Sequence, residues 1–218
     1  MKRFAILATL IVCMLMSATV FASLVDASAA YKAGNFTLCI TEVDKVLADS
    51  NATASEKLSA LRSKGSCYHK QKDYVKSAEI FKKVLADYPK SIRDCAYSQR
   101  NIGYCSYHLG DYAKAITEFD KAISYSDRYV SVSSLYQVGL CYDKLKDRVK
   151  ANESFLKVLT DYAEETSYVS QALDKVSFTS MSDEEVISVL KKLLRATPAT
   201  AVNVDFLGRV KSELEKYK

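Results

Sequence analysis

The sequence predicts an all-α chain assembled from repeated helix pairs, and three observations carry that prediction. Helix breakers are scarce: 218 residues include only 6 glycines and 2 prolines, and each interior proline or glycine would cost helix stability. One phrase returns four times, as AAYKAGNFTLCITEVDKVL (29–47), CYHKQKDYVKSAEIFKKVL (67–85), CSYHLGDYAKAITEFDKAI (105–123) and CYDKLKDRVKANESFLKVL (141–159), at offsets of 38, 38 and 36 residues. Within each phrase the apolar residues follow the period of a helix and not that of a strand.

The chain begins differently. Lys2 and Arg3 precede an uncharged stretch, FAILATLIVCMLMSATVFA, that ends in Val20-Phe21-Ala22. A basic start, an apolar run and a small-x-small ending predict a signal peptide over 1–22, cleaved after Ala22. The alternative is a retained membrane anchor, because the run is about long enough to span a bilayer. Cys13 follows the bulky Val12, which disfavours a lipoprotein site. Loss of Lys2 and Arg3 leaves 29 basic residues against 26 acidic ones, a net of +3 where the whole chain has +5. That charge is too small to predict a nucleic-acid partner. The signal peptide implies an exported protein, with secretion as one alternative.

The repeat domain is expected over 23–198, in units of about 23–52, 54–90, 92–127, 128–163 and 164–198. In each, a first helix ends at a short polar corner and a second begins. The corners are Gly34-Asn35, Lys72-Asp73, Gly110-Asp111 and Lys146-Asp147. After the third corner, Ala115, Ile116, Phe119, Ala122 and Ile123 form one apolar face; before it, Ile102, Gly103 and Ser106 form another. Gly65, Gly103 and Gly139 lie seven residues before their corners, where Ala27 stands in the first unit. Glycine inside a helix costs about 1 kcal/mol against alanine. A cost repeated at one register predicts a close approach of two helix backbones. The fifth unit is degenerate, with Val186, Leu190, Leu193 and Leu194 in its second helix and Ser182-Asp-Glu-Glu185 as the capping box that opens it. Asp174 takes the glycine register there. A final segment, 199–218, predicts a capping helix that lays Val204, Phe206, Leu207, Val210 and Leu214 over the end of the array.

The pattern resembles the tetratricopeptide repeat. The resemblance sits in Leu61, Gly65, Tyr68, Ser77, Phe81 and Pro89, recurs in Gly103, Ala115 and Phe119, and again in Leu135, Gly139, Tyr142, Ala151 and Phe155. It implies a right-handed solenoid of about five antiparallel helix pairs plus the capping helix. The family period is 34, so two to four extra residues are expected between pairs. Longer units of this kind resemble exported envelope proteins, among them the periplasmic partner of the Tol–Pal system and outer-membrane assembly lipoproteins.

Cysteine and histidine invite a chemical reading, and register argues against it. Cys67, Cys105 and Cys141 share one position, held by Ala29 in the first phrase, and Cys39 takes the place of Ser77, Ala115 and Ala151. Places open to alanine or cysteine want a small apolar side chain. Helices pack about 8–10 Å apart, too far for same-register cysteines to bridge. Cys95, near the start of its helix, is expected to be the exposed thiol. His69 and His108 sit at different registers and alternate with tyrosine and lysine, so neither a Cys–His nucleophile nor a metal site is predicted. No cofactor motif stands in the sequence, and the reading is non-enzymatic; a thiol- or metal-dependent protein is the remaining alternative.

The candidate site is a stripe. Tyr97, Arg100, Tyr104 and Tyr107 step by 3, 4 and 3 along one helix. Arg62, Ser66 and His69 correspond in the second unit, and Tyr136, Leu140 and Asp143 in the fourth, with Lys70, His108 and Lys144 alongside. The resemblance implies that first helices line a concave groove. Tyrosine and arginine concentrate binding energy, and the interleaved cations favour an acidic or C-terminal-carboxylate peptide. The competing reading is that the tyrosines pack between repeats. The family's carboxylate clamp is not carried over, because its lysines and most of its asparagines are missing.

Overall fold

The computed structural model describes residues 20–200 and 203–217, and these are helical without a strand. Most of the predicted signal peptide lies outside the described residues. The chain forms two compact halves, Met1–Leu109 and Gly110–Lys218, divided in the corner of the third repeat.

The N-terminal half holds five helices: α1, described over 20–32, then α2 (Phe36–Ala48), α3 (Ala54–Lys70), α4 (Tyr74–Asp87) and α5 (Ile92–His108). Here α3 packs on α2, α4 on α3 and α5 on α4. The C-terminal half holds α6 (Tyr112–Ser124), α7 (Arg128–Lys144), α8 (Arg148–Asp161), α9 (Thr166–Leu173), α10 (Asp183–Ala196) and α11 (Val204–Glu215).

The four corners fold as one device. Gly34, Lys72, Gly110 and Lys146 all take a positive φ, between 63° and 82°. The next residues, Asn35, Asp73, Asp111 and Asp147, each accept a hydrogen bond from the backbone N–H three positions on and so cap α2, α4, α6 and α8. The cap satisfies a donor that has no partner inside the helix. Ser182 and Glu185 form the expected reciprocal capping box on α10, and Thr53 and Glu56 form another on α3.

The pairs are linked by residues 49–53, 88–91, 125–127 and 162–165, and α3, α5 and α7 each run 17 residues against 13 or 14 for the second helices α2, α4, α6 and α8. The glycines act differently from expectation. A Cβ on Gly65 would stand 2.9 Å from the Phe81 ring, and one on Gly139 would stand 2.5 Å from Phe155 Cε1. A buried phenyl ring from the second helix, not a helix backbone, fills the space. In the first repeat the pair is Ala27 and Val43, both buried: a larger first-helix residue faces a smaller partner.

The core of the C-terminal half gathers Val132, Phe155, Val158 and Leu159 with Val186, Leu190 and Leu193 of α10, all at most 1% exposed. The end of the chain covers it with Phe206, Val210 and Leu214. Val204 is 64% exposed and takes no part in the predicted cap. The fifth repeat is short in its first helix. α9 stops at Leu173, and Asp174 is its C-cap and pairs with Arg209 of α11. The carboxylate that replaces glycine thus ends the helix and turns to a cation.

Candidate functional site

The stripe in the N-terminal half is assembled from α3 and α5. Arg62 projects from α3 and forms an ion pair with Asp94 at 2.7 Å, and its guanidinium lies 4.6 Å from the centre of the Tyr97 ring. Arg100 stands over the same ring at 5.1 Å and over Tyr104 at 5.9 Å. Tyr104 meets His69 edge-on at 6.5 Å, and His69 meets His108 at 5.2 Å. His108 stacks flat on Tyr74 at 4.6 Å and meets Tyr107 edge-on. Seven of the sequence-predicted residues are therefore one connected ladder of cationic and aromatic groups. Each desolvated cation–π step is worth roughly 0.5–2 kcal/mol.

The ladder is partly internal. Arg100 is only 8% exposed, so it acts first as a packing element that holds the two tyrosines. Tyr97 also leans edge-on against Phe81 at 6.0 Å. Ser66 is half-buried and Lys70 exposed. Burial, then the neighbouring charges of His108 and Lys70, lowers the His69 pKa below its ordinary value; burial alone lowers that of His108.

Beside the ladder lies a cleft of about 380 Å³. α1 supplies Ser28, Tyr31 and Lys32, α3 supplies Ser63, Arg62 and Ser66, and Tyr97 comes from α5. The sequence-predicted stripe does not include the α1 residues, although the signal is present: Tyr31 and Lys32 hold the registers of His69 and Lys70. The first repeat matches the repeat pattern more weakly, and the stripe is hard to carry back that far. Lys32 is exposed and, among the described residues, in no ion pair. Arg62 already has its carboxylate in Asp94, so Lys32 is the readier cation.

The C-terminal half departs from the predicted stripe. Tyr136 is 7% exposed and packs on Phe155 at 5.6 Å and Tyr168 at 6.0 Å. It belongs to the core, as the packing reading of the tyrosines anticipates. Leu140 is half-buried against the same core. Asp143 and Lys144 are exposed at the end of α7. Arg100 holds the same register in α5 and is equally buried, so this position of the stripe faces inward in each half.

The thiols are packing residues. Cys39, Cys67, Cys105 and Cys141 are fully buried. Cys95, expected to be exposed, is 2% exposed and points its sulfur at the Tyr88 carbonyl, which α5 reaches at its own first turn. Burial raises the Cys67, Cys95 and Cys105 thiols and pushes Cys141 up to about 12. A nucleophilic cysteine needs the opposite shift. The Cys105 thiol faces Ser77, while the His108 ring lies on Tyr74. Among the described residues no cluster of three or more His, Cys, Asp or Glu could hold a metal, and no helix is long and apolar enough to cross a membrane.

Similar folds have been solved. A crystal structure of MamA is 20% identical and superposes with a TM-score of 0.55, covering 82% of this chain and 91% of that one. A MamA double mutant from strain RS-1 is 14% identical with a TM-score of 0.57, covering 91% and 95%. A thermophilic tetratricopeptide-repeat protein of Thermus thermophilus is 20% identical with a TM-score of 0.51, covering 90% and 99%. At such identities the likeness is one of fold. No curated protein matches the chain. Family patterns described as tetratricopeptide repeat match residues 24–92, 96–129 and 133–164, which together span more than half of the sequence. With its corners, glycine notches and helix pairs in the same places, the chain belongs to the tetratricopeptide-repeat family.

Proposed function

We propose that this protein is an exported, non-enzymatic scaffold of the cell envelope that holds an acidic peptide segment of a partner protein in the cleft of its N-terminal half. The observation that carries this reading is the cleft itself, lined by α1 and α3 and walled by the Arg62–Tyr97 stack. Serine hydroxyls and tyrosine edges offer an extended peptide hydrogen bonds and flat apolar area, and Lys32 offers it a charge. Nothing in this arrangement requires covalent chemistry. The fold is one generally used for protein–protein interaction, which supports the scaffold part of the reading.

The test is selection from a randomised peptide library with free C-termini. The chain should enrich acidic sequences, and Lys32→Glu should abolish that preference while leaving helicity intact. No enrichment, or the same enrichment by the variant, would reject the cleft. Arg100 is a poor target for this purpose, since charge reversal at a nearly buried guanidinium disturbs folding as well as binding.

A second reading keeps the N-terminal segment as a membrane anchor in an envelope assembly. It is favoured by α1, which continues unbroken from residue 20 through the expected cleavage point and buries Val20 in the first-repeat core. N-terminal sequencing of the protein from its native cell separates the two: a mature end at Ser23 supports cleavage, and an end at Met1 or Lys2 supports the anchor.

A further inference from the structure

Cys39 of α2 and Cys67 of α3 place their Sγ atoms 2.9 Å apart, and both residues are fully buried. The repeat explains the encounter. Cys39 holds the small-residue place of a second helix, and Cys67 holds the small-residue place of the first helix that follows. One repeat on, Ser77 and Cys105 hold those two places, and the Ser77 hydroxyl lies close enough to lower the Cys105 thiol pKa against the effect of burial. A further repeat on, the two places hold Ala115 and Cys141. Small side chains thus hold both places at each handover, and in the first handover both carry sulfur and meet. The separation exceeds a disulfide bond of ~2.0 Å by about 0.9 Å.

We propose that Cys39 and Cys67 form a disulfide that staples the first repeat to the second when the chain folds in an oxidising compartment. The compartment rests on the export reading; the pairing rests on the geometry. The oxidant is a small-molecule or protein disulfide. One cysteine thiolate attacks it, forming a mixed disulfide and releasing one thiolate. The second cysteine, having lost its proton, attacks the protein-bound sulfur, forming the Cys39–Cys67 bond and releasing the other. The protein loses two protons and two electrons, and the oxidant becomes two thiols. Both sulfurs are inaccessible in the folded chain, so the exchange belongs to folding, before α2 and α3 close. The same burial then shields the bond from reductants. α3 supplies Arg62, Ser63 and Ser66 to the cleft, so tying α3 to α2 fixes one wall of the peptide site. The partners of the other thiols explain why they stay apart: Cys95 faces a backbone carbonyl, and Cys105 faces Ser77.

The full chain, reduced and unfolded in urea, is refolded in a glutathione redox buffer, alkylated and digested with trypsin. The expected result is a peptide of residues 33–45 linked to residues 65–70, an intact mass lower by two hydrogens, and four alkylated cysteines in place of six. Cys67→Ala, the residue found at the same register in the first phrase, should keep native helicity and leave Cys39 alkylated. A refolded chain of native helicity with Cys39 and Cys67 both alkylated, or a bond from either to another cysteine, overturns the proposal. The same map on protein trapped by acid quench from its native cell keeps the test open if refolding is poor. There, a chain beginning at Ser23 with both thiols free overturns the staple and leaves export standing. A chain that starts at Met1 and is reduced in the cell, yet forms the bond on refolding, refutes export and supports the pairing.

Discussion

Gly139 and Phe155 offer a direct measure of how the repeats are held. A Cβ on Gly139 would lie 2.5 Å from Phe155 Cε1 and 2.9 Å from two further ring atoms, where ordinary contact begins near 3.4 Å. The ring is 1% exposed and backed by Tyr136 at 5.6 Å, so it cannot swing aside. Overpacking of this kind costs up to about 3 kcal/mol. Alanine returns about 1 kcal/mol of helix propensity. Gly139→Ala should therefore destabilise the protein by about 2 kcal/mol, or roughly 4–8 °C in Tm for a chain of this size. Gly65→Ala meets the Phe81 ring at 2.9 to 3.1 Å and should cost about half as much.

The sharper form is a double-mutant cycle. Phe155→Val leaves a partly filled hole and should cost about 2–3 kcal/mol. Once the ring is gone, alanine at 139 fits, fills part of the hole and keeps its helix gain. The double variant reproduces the Ala27–Val43 pair of the first repeat and should lose only about 1–1.5 kcal/mol. The coupling energy is then about 2.5–4 kcal/mol in favour of the double variant, at or above the top of the usual range for touching residues. Urea unfolding followed by far-UV circular dichroism measures all four corners of the cycle. Additivity within about 0.5 kcal/mol would refute the claim that glycine is kept at this register for the ring.

Lys146 holds a left-handed φ of 63° where the first and third corners have glycine; Lys146→Gly should raise stability by about 0.5–1 kcal/mol, net of glycine's entropy, and a loss would show that the lysine has another role. Asp111→Ala removes the cap on α6 and should cost about 1 kcal/mol, read in the same unfolding assay. His69 is held below the usual histidine pKa, so the unfolded chain binds more protons as pH falls through about 6.5. Stability should therefore decline from there down to the lowered folded value, and His69→Tyr, the residue at this register in α5, should flatten that decline. In the oxidised protein, reduction of the Cys39–Cys67 bond reopens a loop whose closure is worth about 3.6 kcal/mol, so calorimetry with and without reductant should differ by roughly 7–14 °C.

The corners are legible in the sequence because they are local. An Asn or Asp that caps stands in all four corners, and a Gly of positive φ precedes it in two of them, so backbone geometry makes the corners visible. The buried faces of α6 and α10 are legible for the same reason: period suffices to find them. Contacts between different registers are not. Register sets Cys67 alongside Cys105 and Cys141, which the spacing of helices keeps apart, whereas the sulfur that Cys67 meets is on α2. Cys95 illustrates a second limit. Position near a helix start predicts exposure, but the chain entering α5 folds back, and the Tyr88 carbonyl covers the thiol. Tyr136 illustrates a third: a tyrosine at the stripe register looks the same in sequence whether its neighbours leave it open or, like Phe155 and Tyr168, enclose it.

These differences narrow the site by a physical criterion. A residue can serve recognition only if its own fold leaves some of its surface and charge unspent. Tyr136 spends its ring on Phe155 and Tyr168, Arg100 spends its guanidinium between two tyrosines, and Arg62 spends its charge on Asp94. What those interactions produce is rigidity: Tyr97 is gripped by two cations and by Phe81, so it meets a ligand already ordered and loses little entropy on binding. The unspent groups are Lys32 and the serines beside it on α1 and α3. Affinity in such a site comes from a fixed aromatic wall, and discrimination from the exposed Lys32. Loss of Tyr97 should therefore weaken every ligand alike, while loss of Lys32 should weaken acidic ligands alone.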